Sequence, residues 1–272
     1  MKLAPKIIAL DLDDTLLTAA LSISDYTRSV LHECEKKGIY ITLCSGRARN
    51  AMLPYAYQLG VDLSDRGRYL ITQNGGIIRD MQLAEEIYRV NIDGNLLNAI
   101  FAAAQKRGLS SQVYDAAYIY TNEDNRWTQI DSRLSGLSLR VVKDFPEFVS
   151  GGFPKMVIPG EPAKLQELKA ELDAVFGDKA VFFISKPYFL EAMRKDCGKG
   201  EALKWLANCR HIPQAEVMAF GDSMNDETML QYAGMSVAMI NGMTEIKAIS
   251  KYVTERTNNN DGVAHFLETH VL

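Results

Sequence analysis

The chain has 272 residues and a formal net charge of −4, with 47% hydrophobic and 24% charged residues, which is ordinary for a globular protein. This length favours more than one domain, since compact domains usually hold roughly 100–150 residues. The net charge argues against a nucleic-acid partner, because no basic excess is available to meet a phosphate backbone.

The cysteines and the N-terminus favour a cytoplasmic protein. The four cysteines show no Cys-x-x-Cys spacing, which favours reduced thiols over a zinc site or a disulfide framework. The first ten residues contain too short an apolar run for a signal peptide, and no run approaches the roughly 20 residues of a membrane span. We therefore predict a cytoplasmic monomer or homodimer with no membrane partner.

The first part of the chain alternates strand and helix patterns. Short apolar runs predict strands at 7–10, 40–44 and 69–72. Between them, one helix is capped by Ser24 and another covers 48–59, with Pro54 disturbing its middle. This βαβαβ order favours a parallel sheet covered on both faces. Asn74-Gly75-Gly76 then indicates a turn before a hairpin return at 77–78.

The alternation of strand and helix patterns is interrupted from about residue 83 and resumes near residue 188. In between, helices are predicted at 93–107 and from Pro162, and strands at 111–114, 117–120, 155–158 and 180–184, with a last strand at 189–192. Later patterns predict helices from Lys199, at 224–233 and at 244–250, and strands at 217–220 and 235–238. We therefore predict an α/β fold. A doubly wound, mainly parallel sheet is formed by 1–82 and 188–272, and an α/β insert by 83–187.

Four polar clusters lie where predicted strands end or helices begin, the place where doubly wound sheets bind ligands. They are Asp11/Asp13, Ser45/Gly46/Arg47, Lys199 and Asp222/Asp226. Each cluster alone is also compatible with a helix cap or an unremarkable turn. The coincidence of all four indicates a functional site.

The residue types in these clusters suit phosphate and magnesium chemistry. Close carboxylates such as Asp11 and Asp13 repel unless a cation compensates, and a divalent cation with a nucleophilic and a proton-handling carboxylate fits that pair. The acids of the 222–226 segment are oxygen ligands of the kind that Mg²⁺ takes. A hydroxyl and a flexible turn at Ser45 suit a phosphate. Lys199 opposes the helix dipole, which is unfavourable unless an anion binds.

Together, the clusters resemble the four motifs of the haloacid dehalogenase (HAD) superfamily, in particular its Cof-type phosphatases with a type IIB cap. The resemblance is carried by Asp11-Leu12-Asp13-Asp14-Thr15-Leu16, Cys44-Ser45-Gly46-Arg47, Lys199-Gly200-Glu201-Ala202-Leu203 and Gly221-Asp222-Ser223-Met224-Asn225-Asp226, with smaller matches at Gln73-Asn74-Gly75, Pro187-Tyr188-Phe189-Leu190-Glu191 and Ala233-Gly234. The order and spacing agree across the chain. Two features depart from the pattern: Asp14 stands where many relatives have Gly, and the charged run Arg194-Lys195-Asp196 precedes the third motif.

The resemblance implies roles for the acidic residues. Asp11 would attack phosphorus and form an aspartyl-phosphate, and Asp13 would protonate the leaving oxygen and then activate water. Mg²⁺ would lie between the Asp11 side chain, the Asp13 backbone carbonyl and Asp222, with Asp226 steadying this shell. No role is implied for Asp14.

The resemblance also implies the substrate contacts. Ser45 and Lys199 would hold the phosphoryl oxygens, and further contacts are expected from Gly46, Arg47, Asn74 and Asn225. The core would be HAD-like and Rossmannoid, and the insert at 83–187 would be a cap that closes over the substrate and sets its specificity.

The expected activity is hydrolysis of a small phosphate monoester, such as a sugar phosphate or a similar metabolite. Two alternatives stay open. The type IIB cap also occurs in phosphomannomutases, so a phosphomutase is possible, and phosphate release against isomer formation would separate it from a phosphatase. A protein of this fold that only binds a phosphorylated effector would show no turnover on a panel of phosphate esters.

Overall fold

The computed structural model describes residues 2–61 and 67–272. The chain forms two compact units. We call the first the core unit, which comprises Met1–Gly46, Met52–Tyr88 and Gly198–Leu272, and the second the insert unit, which comprises Arg47–Ala51 and Arg89–Cys197. Within the described residues, no helix is both long and apolar enough to cross a membrane.

Strands and helices alternate along much of the chain. The strands are β1 (Ile7–Asp11), β2 (Tyr40–Cys44), β3 (Tyr69–Thr72), β4 (Ile77–Asp80), β5 (Glu85–Arg89), β6 (Gln112–Tyr114), β7 (Tyr118–Thr121), β8 (Ser138–Val141), β9 (Lys155–Pro159), β10 (Ala180–Lys186), β11 (Phe189–Arg194), β12 (Val217–Gly221), β13 (Met235–Ala238) and β14 (Tyr252–Val253). The α-helices are α1 (Asp25–Lys36), α2 (Arg49–Gln58), α3 (Gly94–Gln105), α4 (Thr128–Ser135), α5 (Phe145–Val149), α6 (Pro162–Phe176), α7 (Lys199–Cys209), α8 (Glu227–Tyr232), α9 (Thr244–Ile249) and α10 (Gly262–His270).

The sheet of the core unit has the order β14-β13-β12-β1-β2-β3-β4-β5. The strands from β14 to β3 are parallel, and β4 returns antiparallel to β3. Every residue of β1 is buried, as expected for a central parallel strand covered on both faces. Ile8 and Leu10 pack with α1 and α10, whereas Ile7 and Ala9 pack with α7 and α8. The predicted doubly wound, mainly parallel α/β fold is confirmed.

The sheet of the insert unit has the order β10-β11-β9-β6-β7-β8. One face packs against α3, α5 and α6 through an apolar cluster that includes Leu97, Phe145 and Leu168. The other apolar cluster of this unit includes Tyr114 and Phe189 together with Ala48 and Ala51. The short segment 47–51 therefore belongs to the insert unit by its packing.

The boundaries between the two units, at 88/89 and 197/198, lie later in the chain than those predicted at 82/83 and 187/188. Strand β5 joins the sheet of the core unit, so its residues before Arg89 belong there. Strand β11 pairs with β9 and β10, which places residues 189–197 in the insert unit. The buried ion pair between Lys155 and Glu191, with 3.0 Å between Nζ and Oε2, ties β11 to β9.

Several elements lie outside the predicted pattern. The sequence pattern did not predict β5, β8, β14, α4, α5 or α10. The helix predicted at 224–233 is a 3₁₀ turn, Met224–Asp226, followed by α8. Helix α2 continues through Pro54, which was expected to disturb it. Strands β5 and β8 are mostly exposed, so they lack the apolar pattern on which the prediction depended.

Candidate active site

The candidate site lies at the carboxyl ends of four neighbouring parallel strands of the core unit. Asp11 is the last residue of β1, Ser45 follows β2, Gln73 follows β3, and Asp222 follows β12. Because β12, β1, β2 and β3 are adjacent and parallel, these residues emerge at the same edge of the sheet. Lys199, the first residue of α7, completes the group.

A buried ammonium group lies at the centre of the site. The Nζ of Lys199 donates to Oδ1 of Asp11 at 2.5 Å and to Oδ1 of Asp226 at 2.7 Å. Lys199 and Asp226 are fully buried, and Asp11 is 5% exposed. The carboxylates of Asp11 and Asp226 therefore compensate the charge of Lys199, a cation at the N-terminus of α7. The resemblance implied that Lys199 would hold phosphoryl oxygens.

The Asp222–Asp226 loop is organised by its own hydrogen bonds. Oδ2 of Asp226 accepts from the backbone N–H groups of Asp222 at 3.0 Å and Ser223 at 3.1 Å. Gly221 permits this turn, because a Cβ there would lie 2.5 Å from the Cβ of Asp226. Both oxygens of Asp226 are thus engaged, which fixes the position of Asp222 above the sheet.

Thr15 is a site residue that the sequence analysis missed. Its Oγ1 donates to Oδ1 of Asp222 at 2.9 Å, so the hydroxyl orients that carboxylate. Thr15 is 1% exposed. Its type and position after Asp11 were compatible with a simple cap, and only the distance across 207 residues of chain shows its partner.

Three carboxylates form a group that can hold a metal ion. One oxygen each from Asp11, Asp222 and Asp226 lies within 4.8 Å of the other two. Octahedral Mg²⁺ holds oxygens at about 2.1 Å, so its ligands are at most about 4.2 Å apart. A small contraction would bring these oxygens into range. The donor set, all hard oxygen, fits Mg²⁺ and does not favour softer metals.

The electrostatics of the group show an excess of negative charge. Burial, and then repulsion from Asp226, raise the pKa of Asp11 well above its usual range even though Lys199 opposes the change. The same two causes raise the pKa of Asp222 to about 7. Burial alone would lower the pKa of Lys199, but the adjacent carboxylates of Asp11 and Asp226 more than offset it, so this pKa is raised. A further cation at the carboxylates would relieve the repulsion.

The backbone turns sharply after Asp11. Continued strand geometry would place the side chains of Asp11 and Asp13 on the same side. Instead, β1 ends at Asp11, and the side chain of Asp13 is exposed while that of Asp11 is buried. Asp14 has φ 58° and ψ 5°, in the left-handed region. Glycine adopts this conformation most readily and aspartate tolerates it, so Asp14 fits a turn that most other side chains disfavour.

Several of the predicted substrate contacts also lie together. The backbone N–H of Asn74 donates to the carbonyl of Ser45 at 3.0 Å, and Nδ2 of Asn225 donates to Oδ1 of Asn74 at 3.3 Å. A Cβ at Gly46 would lie 2.8 Å from that same Oδ1. Arg47 belongs to the insert unit, where its charge acts on Asp131.

Comparison with known proteins agrees with this fold. The model of the haloacid dehalogenase-like hydrolase family matches residues 8–267, and the chain belongs to this family. A crystal structure of a haloacid dehalogenase-like hydrolase from Bacteroides thetaiotaomicron is 32% identical and superimposes with a TM-score of 0.89, covering 97% of this chain and 99% of the other.

A further relative has a named activity, and a further solved structure shares the fold. The Bacillus subtilis protein YwtE, named 5-amino-6-(5-phospho-D-ribitylamino)uracil phosphatase, is 29% identical over 97% of both chains. The structure of the HAD subclass IIB sugar phosphatase BT4131 shares the fold, with a TM-score of 0.80 at 22% identity, covering 97% of this chain and 98% of the other. The protein is a phosphatase of the Cof type, with the subclass IIB architecture that the sequence motifs predicted.

Proposed function

We propose that this phosphatase uses Mg²⁺ and hydrolyses small phosphate monoesters, such as sugar phosphates or similar metabolites, through an aspartyl-phosphate on Asp11. The observation that carries the proposal is the buried Asp11 carboxylate, 2.5 Å from the Nζ of Lys199 and within 4.8 Å of oxygens of Asp222 and Asp226. The relative YwtE, whose name states a small phosphorylated substrate, supports this class.

The first step belongs to Asp11. The carboxylate oxygen that does not accept from Lys199 attacks phosphorus, a new P–O bond forms to Asp11, and the P–O bond to the leaving group breaks. Asp13 donates a proton to the departing oxygen, and its exposed side chain can exchange that proton with water. In the second step Asp13 accepts a proton from water, which attacks phosphorus and releases inorganic phosphate and Asp11.

The residues around Asp11 stabilise charge in the site and fix the positions of the reacting groups. Lys199 favours the ionised form of the buried Asp11 carboxylate, against burial and Asp226, and presents positive charge to the phosphoryl oxygens. When bound, Mg²⁺ neutralises charge on the phosphoryl group as it is transferred. The side chains of Asp11 and Asp222 and the backbone carbonyl of Asp13 are its proposed ligands. Asp226 is proposed to fix the positions of these ligands, since its oxygens accept hydrogen bonds from Lys199 and from the backbone N–H groups of Asp222 and Ser223.

The remaining predicted contacts bind the substrate. Ser45 and Gly46 form the turn proposed to hold phosphoryl oxygens, and Arg47, Asn74 and Asn225 are proposed as further contacts. We assign the specificity for the leaving group to a cap made by the insert, predicted at 83–187. The cytoplasmic location and a monomeric or homodimeric state remain predictions from the sequence.

The substitution Asp11→Asn tests the nucleophile. An amide cannot form the phosphoenzyme, so kcat on an aryl phosphate with Mg²⁺ should fall by at least about 10³-fold. The wild-type protein, quenched in acid during turnover, should retain phosphate, and Asp11→Asn should retain none. Asp25→Asn is the matched control, because Asp25 is an exposed acid whose ion-pair partner is the nearby Arg28. Equal turnover by wild type and Asp11→Asn would refute the proposed mechanism.

A further inference from the structure

The turn Gln73–Gly75, which follows β3, has a conformation unlike the rest of the site. Its three residues have positive φ in succession, 50° at Gln73, 54° at Asn74 and 94° at Gly75. The first two are not glycine, so the backbone is held in a region that most side chains disfavour. Gln73 is 1% exposed, and its Oε1 has no hydrogen-bond partner within the described residues. Such locally unfavourable features persist only where the surroundings fix them.

The surroundings are three segments of the candidate site. The backbone N–H of Asn74 donates to the carbonyl of Ser45 at 3.0 Å, and its Oδ1 accepts from Nδ2 of Asn225 at 3.3 Å. The side-chain amide of Asn74 also lies close to Gly46, which restricts its position further. A Cβ at Gly75 would collide with the carbonyl oxygen of Gly198, directly before Lys199.

Asn74 therefore connects elements that are far apart in the chain. Its backbone is joined to the turn after β2, and its side chain is joined across 151 residues to the loop that contains Asp222 and Asp226. The adjacent Gly75 sets the distance to the start of α7. All these residues belong to the core unit, so the connection is internal to that unit.

We propose that Asn74 is a positioning residue, which ties the Ser45–Gly46 turn to the Asp222–Asp226 loop and so fixes the phosphate and metal groups relative to Asp11. This goes beyond the substrate contact predicted for Asn74, and it rests on the function proposed above. The left-handed backbone conformation lets the backbone N–H of Asn74 reach Ser45 while its side-chain amide reaches Asn225. A displacement of about 1 Å at such a site costs roughly 10²-fold in rate.

The variant Asn74→Gly tests this role. Glycine keeps the left-handed backbone and removes only the amide. We expect kcat to fall about 10- to 100-fold while KM changes less than about 2-fold, and we expect the Mg²⁺ concentration at the midpoint of the metal-induced thermal shift to rise. Asn74→Asp keeps Oδ1 as an acceptor for Asn225 and should recover most of the metal response.

The partner residue supplies a second measurement. Asn225→Ala removes the same hydrogen bond from the other side, so the double variant Asn74→Gly/Asn225→Ala should have a kcat no lower than the poorer single variant. The control is Ala84→Gly, because Ala84 is an exposed residue of the core unit with φ 55°. It should leave kcat, KM and the metal response unchanged.

Two results would overturn the inference. A rise in KM with kcat and the metal response unchanged would make Asn74 a plain substrate contact, and multiplied losses in the double variant would make the two amides independent. Neither result bears on the nucleophile. That is decided separately by trapping phosphate on Asp11, so the inference can fail while the proposed function stands.

Discussion

At the scale of single residues, the site is dominated by charges that are removed from water. Asp11 and Asp226 share one ammonium group, that of Lys199, and none of the three is more than 5% exposed. Removing one member of a buried ionic group leaves an uncompensated charge, which costs more than the group contributes when intact. The stability of the core unit is therefore sensitive to Lys199 in a way that a surface lysine cannot reproduce.

The variant Lys199→Met should lower the free energy of unfolding of the core unit by about 3–5 kcal/mol, because two buried carboxylates lose their cation. The double variant Lys199→Met/Asp226→Asn should recover part of this loss. Urea denaturation followed by the fluorescence of Trp205, in a Trp127→Phe background, reports on the core unit alone.

Lys204→Met is the matched control for that experiment. Lys204 is an exposed residue of the core unit and lies on α7, the helix that Lys199 begins, so its loss should change the free energy by less than about 0.5 kcal/mol. An unchanged stability in Lys199→Met would mean that the two carboxylates are protonated in the folded protein and need no cation.

The sequence predicted which residues cluster, but not how they pair. The motif positions of Asp11, Lys199 and Asp222 follow from strand ends and spacing. That Lys199 binds two carboxylates depends on contacts across 188 and 27 residues, which no local pattern contains. The left-handed φ of Asp14 is likewise a property of the turn, and the sequence showed only an unexplained acid.

At the scale of elements, buried strands were predictable and exposed ones were not. The runs at 7–10, 40–44 and 69–72 lie within or match β1, β2 and β3, because a strand buried on both faces must be continuously apolar. Strand β5 has the sequence Glu85-Glu86-Ile87-Tyr88-Arg89 and is held by pairing at the sheet edge, where composition carries little information. The same limit applies to β8.

The predicted cap of α1 is a feature of this scale that the structure resolves in detail. Oγ of Ser24 accepts from the backbone N–H of Thr27 at 3.0 Å and donates to Oδ1 of Asp261 at 2.5 Å. Asp261 immediately precedes α10, so this hydroxyl caps α1 and also joins it to the residue before α10.

Ser24→Ala should therefore lower the free energy of unfolding of the core unit by about 1–2 kcal/mol, at the upper end for a helix cap. The reason is that the substitution removes the cap and also leaves Asp261 without one of its donors. The same Trp205 fluorescence assay measures the change. Ser29→Ala, at an exposed position within α1, should be neutral or slightly stabilising, and an equal loss there would show that the cap is not the cause.

At the scale of the whole molecule, each unit has its own sheet and its own apolar clusters. Units of this kind can unfold separately, so a single free energy of unfolding does not describe the chain. The proposed Mg²⁺ ligands, which are the side chains of Asp11 and Asp222 and the backbone carbonyl of Asp13, all belong to the core unit, as does Asp226. Metal binding is expected to stabilise that unit alone.

Calorimetry with and without Mg²⁺ checks this expectation. A metal concentration 100 times the dissociation constant stabilises the binding unit by about 2.7 kcal/mol. The core transition should therefore move upward by several degrees and return when a chelator is added. The insert transition should not move. Asp222→Asn should abolish most of the shift, and an equal shift of both transitions would contradict the assignment of the metal to the core unit.

The ion pair between Lys199 and Asp11 also has a consequence for biosynthesis. Its two residues are 188 positions apart, so at roughly 5–20 residues per second the ribosome delivers Lys199 about 10–40 s after Asp11. Throughout that interval β1 lacks β12, one of its two neighbours in the finished sheet, and has an open edge. The nascent N-terminal segment is thus exposed to aggregation during that interval, and a chain truncated before Lys199 should be retained by a chaperone.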